Sequence, residues 1–195
     1  MKKEFSQEQK DAIEGALINL MLSFGCDLTD PSLRETPHRT MKYWTELLEG
    51  TLYTNDEIAE MYDKCFDCAT NDLVIEKDIE VFSHCEHHLA LMYDMKVHIA
   101  YIPNGKVIGL SKMARIAEMC AKRLQLQERI GTDINYVMRK ILGTEDVAVI
   151  ITGKHGCMTA RGIKSKNAVT RTACLCGRFL TNDVLRNELY SLLSE

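Results

Sequence analysis

The run Cys85-Glu86-His87-His88 sets one thiol and two imidazoles within four residues, and His155 with Cys157 supplies a second such pair about seventy residues further on. Thiolate sulfur and neutral imidazole nitrogen are the donors that zinc takes, usually four in a tetrahedron. Cys85, His88 and Cys157 make three, which leaves a fourth position for water, as in catalytic zinc sites and not in closed structural ones. In a straight strand, positions 85 and 88 would face opposite sides of the sheet. A shared ion therefore requires a turn, which the run after Ser83 permits. The plainer alternative makes Cys85 and Cys157 small buried thiols and the histidines surface groups. The clustering of such ligand-type residues in two short runs outweighs it.

The other cysteines carry less. Cys65-Phe66-Asp67-Cys68 is a rival pair, but it lacks a second Cys-x-x-Cys, and its helical-to-loop setting has no redox-motif context. It is expected to be packed free thiols. Cys174 and Cys176 fall on one face of an expected strand and read as sheet filling.

A second constellation suits an anion. Gly109-Leu110-Ser111-Lys112-Met113-Ala114-Arg115 delivers a strand into a helix start, where free backbone N–H groups and the helix dipole attract negative charge. Lys112 and Arg115 are three apart, on neighbouring helical positions. Arg161, four residues past Cys157, would add a second guanidinium near the metal. A solvated basic face is the bland alternative, and what tells against it is that these cations flank the zinc candidates. Between two expected helices lies Gln127-Glu128, where a carboxylate could accept paired hydrogen bonds from an amidine-like edge such as that of guanine. Taken alone, Glu128 is an ordinary helix-start acid.

The whole chain must position these groups. At 195 residues and 46% hydrophobic content it can bury one sizeable core, so one main domain is expected. A formal charge of −4 gives no broad basic field, which argues against nucleic acid or an anionic membrane as partner. The opening MKKEFSQEQK is polar and leads into no apolar run of signal or membrane-spanning length, so the cytosol is the expected compartment. Eight cysteines in a reducing compartment imply metal binding for some and buried thiols for the rest.

Ser6 with Gln9 forms a capping box, followed by a helical stripe of Ile13, Leu17, Leu20, Met21 and Phe24. Thr36-Pro37 is expected to cap and open a second helix with Met41, Trp44, Leu47 and Leu48 on one face, and a short third helix covers Asp56 to about Asp63. Residues 1–70 thus read as a helical arm. From residue 71 to 195 the texture is that of a separate β-rich unit. Short runs at 73–75 and at Ile79 and Val81 precede the alternation of Met95, Val97, Ile99 and Tyr101. Asn104-Gly105 predicts a hairpin turn into 106–108. A helix that Ser111 can cap and another bearing Ile130, Ile134, Val137, Met138, Ile141 and Leu142 come next, then strands at 147–152 and 168–175 and a closing helix with Leu185, Leu189, Leu192 and Leu193. The order is that of an α+β layout with helices on one face of an antiparallel sheet.

Read together, Cys85-Glu86-His87-His88, the stretch Ala100 to Lys112, Gln125-Leu126-Gln127-Glu128-Arg129, His155 to Gly162, and Glu35-Thr36-Pro37-His38-Arg39 in the arm closely resemble GTP cyclohydrolase I, in order and in long spacing. The likeness covers roughly residues 30 to 180. It implies the tunnelling fold (T-fold): a four-stranded antiparallel sheet with two helices on one face, closing into ring homo-oligomers, typically a decamer of two pentamers with active sites between subunits. It implies opening of the GTP imidazole ring, release of formate and formation of 7,8-dihydroneopterin triphosphate, the first step toward tetrahydrofolate, pterins or deazaguanines, without an organic cofactor. Residue by residue, it makes Cys85, His88 and Cys157 the ligands of one Zn2+ per subunit and His87 and His155 the proton carriers. Lys112, Arg115 and Arg161 would hold the triphosphate, Gln127 and Glu128 would read guanine, and Ser111 would assist the ribose chemistry.

Two departures stand out. The run between His88 and Ala100 is one residue longer than the family's, with Asp94 where a turn glycine is common. Arg171 interrupts a stretch that is usually rich in small hydroxyl residues. Two competing classes are a zinc nucleobase deaminase, whose His-x-Glu and Pro-Cys-x-x-Cys are both lacking, and a non-catalytic pterin-binding ring, which would not need His87 and His155.

Overall fold

The computed structural model describes residues 2–194, so the terminal residues of the expected arm and domain lie outside it. Helix α1 (Gln7–Ser23) starts at the Ser6–Gln9 capping box and none of its residues is buried; it packs on α2 (Thr36–Leu47). Thr36 does not cap α2: Glu35 precedes the helix without a side-chain cap, and Thr36 and Pro37 form its first turn. Helix α3 (Asn55–Tyr62) has a capping box of its own, Thr54 with Glu57. Tyr53, Ile58 and Ala59 are buried in the main core, so the end of the arm is packed into the body.

Strand β1 (Cys65–Asp67) replaces the expected loop around the Cys-x-x-Cys run. The two short runs expected at 73–81 are parts of one long strand, β2 (Val74–Cys85), which is bulged between Glu76 and Ile79, where Asp78 takes φ 61°. It pairs antiparallel with β3 (Leu91–Tyr101). The Asn104-Gly105 turn is real, with Gly105 at φ 76°, but β4 (Lys106–Ile108) does not fold back on β3; it pairs with β1. The chain leaves the sheet at Ile102, whose N–H donates to Asp146 O, and Pro103 has no N–H with which to extend a ladder.

Helix α4 (Leu110–Ala121) starts after Gly109, with Ser111 inside its first turn and not at its cap. The two-residue β5 (Leu124–Gln125) leads into α5 (Gln127–Leu142), whose buried stripe contains the expected Ile130, Ile134, Val137, Met138, Ile141 and Leu142. Strand β6 (Val147–His155), the short α6 (Gly156–Thr159), β7 (Thr170–Leu175), α7 (Arg178–Thr181) and α8 (Asp183–Ser194) complete the chain. The sheet order is β5-β2-β3-β6-β7; the four long strands are antiparallel, and β5 adds a short parallel edge to β2. This is the α+β unit that the resemblance implies.

Strand alternation divides the core. Met95, Val97, Ile99, Val149 and Ile151 pack under α4 and α5, whereas Ala100, Ile102, Ala148 and Ile150 meet Phe179 and Leu189 on the other face. Helices are therefore not confined to one side: α8 covers the apolar patch that the second set would otherwise expose. Each fully buried Val, Ile, Leu, Met or Phe side chain among them stabilises the fold by about 1.5–3 kcal/mol. No helix among the described residues is long and apolar enough to cross a membrane.

Candidate active site

The turn needed between Cys85 and His88 is present. Strand β2 ends at Cys85, whose N–H donates to Ala90 O (2.9 Å) while Leu89 N–H donates back to Cys85 O (2.9 Å), with Leu89 at φ 52°. Glu86 N–H donates to Gln125 O (3.1 Å), fastening the turn to β5. The chain thereby folds over itself and sets His88 Nδ1 3.8 Å from Cys85 Sγ. Cys157 arrives on the first turn of α6, directly after β6. Gly156 permits the approach, since a Cβ there would lie 2.9 Å from Leu91 O. Tyr93 Oη donates to Thr159 Oγ1 (3.1 Å) and holds the far end of α6.

The ligand atoms of Cys85, His88 and Cys157 lie within 4.8 Å of one another, with Cys85 buried, Cys157 half-buried and His88 exposed. Zinc–sulfur and zinc–nitrogen bonds of about 2.0–2.3 Å put tetrahedral ligand atoms roughly 3.5 Å apart, so a small contraction suits the set to zinc. Burial pushes the Cys157 thiol up from its ordinary value, and the neighbouring Cys85 sulfur adds to the shift. Two thiolates side by side need a cation to balance them.

Around this cluster the ring of His155 is half-buried, and burial holds its pKa below the ordinary value against the opposing effect of Glu128. Its Nε2 lies 2.9 Å from Gln127 Oε1. Gln127 is buried and Glu128 exposed, so the two expected base readers face different surroundings. His87 is exposed, with its ring centroid 6.2 Å from that of His88. Glu86 makes a bidentate ion pair with Arg129 (2.7 and 3.2 Å), tying the turn between Cys85 and His88 to the helix that begins with Gln127 and Glu128. That guanidinium keeps the Glu86 carboxyl below its ordinary pKa. Arg161 is exposed and near enough to Cys157 to favour its thiolate.

Ser111, Lys112 and Arg115 lie in the N-terminal half of α4, whose C-terminal end is the part that meets β2 just before the cluster. Ala121 O, at the C-terminal end of α4, accepts from Ser83 Oγ (2.7 Å), two residues before Cys85. Lys112 is nine residues back along the helix, which at ~1.5 Å per residue is about 14 Å away. Its Nζ sits 5.9 Å from the ring centroid of Tyr62. Of the two departures, Asp94 takes φ 50° in a second bulge and pairs with Lys154 (2.9 Å), so the extra residue is absorbed locally. Arg171 lines a cleft of about 240 Å3 with His98, Thr152 and Tyr190, on the α8 side of the sheet.

Sequence reasoning missed two supports. His84 is buried, its ring 4.7 Å from that of Trp44, and its Nε2 is 3.3 Å from Tyr43 Oη, which joins α2 to the residue before Cys85. Arg123 donates to Gly50 O, Tyr53 O, Asn55 Oδ1 and Asp133 Oδ2 and so ties the arm to β5. An isolated Arg or His in a sequence gives no sign of burial, and only the apolar residues around His84 offered a signal.

In comparisons with known proteins, residues 13–194 match the family described as GTP cyclohydrolase I. A Clostridium botulinum (strain Loch Maree / Type A3) protein named GTP cyclohydrolase 1 is 53% identical over 190 residues, covering 94% of this chain and 97% of its own length. Proteins of the same name from Clostridium acetobutylicum and Ruminiclostridium cellulolyticum are each 50% identical over 186 residues, covering 93% and 92% of this chain and 95% of their own lengths.

Proposed function

The chain belongs to the GTP cyclohydrolase I family, and on that premise we propose that it hydrolyses the imidazole ring of GTP, releasing formate and yielding 7,8-dihydroneopterin triphosphate, with one zinc ion held by Cys85, His88 and Cys157. The observation that carries this reading is the convergence of those three ligand atoms within 4.8 Å, with Cys157 two residues along the chain from His155. Zinc in such a set supplies Lewis acidity and, through its open position, water acidic enough to act near neutral pH.

The protein's own groups do the rest. His155 and His87 exchange protons with the opening ring and the ribose. Glu128, exposed in the first turn of α5, accepts two N–H groups from the guanine edge. Lys112, Arg115 and Arg161 hold the triphosphate, and Ser111 serves the ribose stage. Since Lys112 lies about 14 Å of helix from Ala121, the end of α4 that meets β2 just before the cluster, we infer that a complete site takes Ser111, Lys112 and Arg115 from a neighbouring copy. Open sheet edges support that assembly. Among the described residues, β2 is paired on its outer side only at His84 and Cys85, and β7 pairs only with β6. Strand pairing between copies would close a ring, and a homodecamer of two pentamers is the form we favour. Eight unpaired thiols support a reducing compartment, the cytosol.

Incubation with GTP tests the reading: formate should appear together with a pterin that fluoresces after mild oxidation. Ammonia without formate would point to deamination, and no turnover would point to a binding ring.

A further inference from the structure

Gln127 opens α5, a position where side chains commonly meet solvent, yet it is 1% exposed. Its Nε2 lies 3.1 Å from Ile151 O, 3.2 Å from Thr170 O and 3.3 Å from Thr172 Oγ1. Two of these are backbone carbonyls, which only accept, so the amide NH2 must face them. Oε1 is then turned the other way, 2.9 Å from His155 Nε2. An amide oxygen cannot donate, so the hydrogen between them belongs to His155 Nε2. In the neutral ring that leaves Nδ1 as the bare lone pair. Gly153 leaves room for the arrangement, since a Cβ there would lie 3.2 Å from Gln127 Oε1 and 2.9 Å from Met95 Cγ.

We propose that Gln127 is a positioning residue that fixes His155 as its Nε2–H tautomer, so that Nδ1 is the ring atom exchanging a proton with substrate, and that Gln127 does not read the base. The inference rests on the cyclohydrolase reading above. Both amide hydrogens and the amide oxygen are engaged inside the protein, and turning them toward guanine would give up the hydrogen bonds to Ile151 O, Thr170 O and His155 together. Burying an unpaired polar group is costly. Glu128, the adjacent exposed residue, remains for base recognition.

The test compares wild type with Gln127→Met, which fills the same space without hydrogen bonds, and Gln127→Glu, whose protonated carboxyl keeps a carbonyl on Nε2–H and an O–H for the strand carbonyls. Positioned acid–base groups contribute about 10²–10⁴-fold, so the Met variant should lose about a hundredfold in kcat with KM for GTP changed less than about twofold, and Gln127→Glu should recover most of the loss. The 15N spectrum of histidine-labelled protein, with His155 assigned by its disappearance in His155→Asn, should show a pyrrole-type Nε2 and a pyridine-type Nδ1 in wild type and mixed tautomers in the Met variant. A KM raised tenfold or more at unchanged kcat would restore Gln127 as a base reader and overturn the proposal. So would a hydrogen on Nδ1 in wild type, or full kcat in the Met variant. Should the Met variant fail to fold, the wild-type spectrum and Gln127→Glu still decide. Wild type that releases no formate would sink the cyclohydrolase reading, while the tautomer, recorded without substrate, is judged separately.

Discussion

Replacing Arg123 by Met keeps the aliphatic stem and deletes the guanidinium that joins the helical arm to β5. Arg123 and Asp133 side chains are each 14% exposed, with NH1 to Oδ2 at 2.9 Å. The change removes that pair along with the bonds to Gly50 O, Tyr53 O and Asn55 Oδ1. Breaking a buried ion pair costs about 3–5 kcal/mol. Asp133 keeps two neutral donors, Asn55 Nδ2 (2.9 Å) and Gln125 Nε2 (2.8 Å), which favours the low end of that range, about 3 kcal/mol. At about 2–4 °C per kcal/mol for a chain of this size, the thermal midpoint should fall by roughly 6–12 °C. Circular dichroism melts at one fixed protein concentration measure it, because self-association also raises the midpoint. Adding Asp133→Asn to the Met background should cost less than the same change in wild type, because the carboxylate has already lost its cation. A fall below about 2 °C, or strictly additive single effects, would refute the reasoning. Because Gln125 O accepts from Glu86 N–H, the Met variant should also hold zinc less tightly.

Gly156→Ala would place a Cβ 2.9 Å from Leu91 O and push Cys157 away from Cys85 and His88. Overpacking of this kind costs about 1–3 kcal/mol, so zinc affinity measured against a competing chelator should weaken at least about tenfold, and unchanged affinity would count against the geometry. His98 Nδ1 accepts Asp78 N–H (3.1 Å), and burial lowers its pKa, with the nearby Lys96, Arg171 and Lys77 lowering it further and Asp78 opposing. The unfolded chain therefore binds the proton first. Stability is complete above the unfolded value near 6.5 and declines as pH falls through the folded one. Melts at pH 7 and pH 5 should show that loss, and His98→Gln should reduce it; equal slopes would exclude His98 as a contributor. Glu86→Gln removes one charge from a pair whose side chains are 29% and 46% exposed, so solvent screening should keep the loss of stability small; a midpoint drop above about 5 °C would indicate a far stronger coupling.

The convergence of Cys85, His88 and Cys157 was legible because thiols and imidazoles are uncommon and came in two clusters, and because only a turn could unite positions 85 and 88. The α5 stripe was legible because it repeats at helical spacing over four turns. Other features depended on contacts distant in sequence. Asn104-Gly105 specifies a reversal but not which strand receives it, and β4 found β1. Thr36 and Ser111 have cap chemistry, yet α2 begins one residue and α4 two residues earlier than a cap at that position requires. Lys112 and Arg115 are chemically suited to phosphate, but nothing local to them announces that α4 meets β2 near the cluster with its other end, at Ala121. The inward turn of Gln127 depends on carbonyls of β6 and β7 that no local pattern announces. Arg123 is one more basic residue until the arm closes over it.

The measurement closest to the central claim follows zinc and formate in one sample. Zinc per chain is set by graded chelation and checked by elemental analysis, and formate release from GTP is recorded at each level, with Cys157→Ser alongside. Formate release should rise in proportion to zinc toward one ion per chain, and Cys157→Ser should lack both. Full formate release from zinc-free protein, or from Cys157→Ser, would contradict the account.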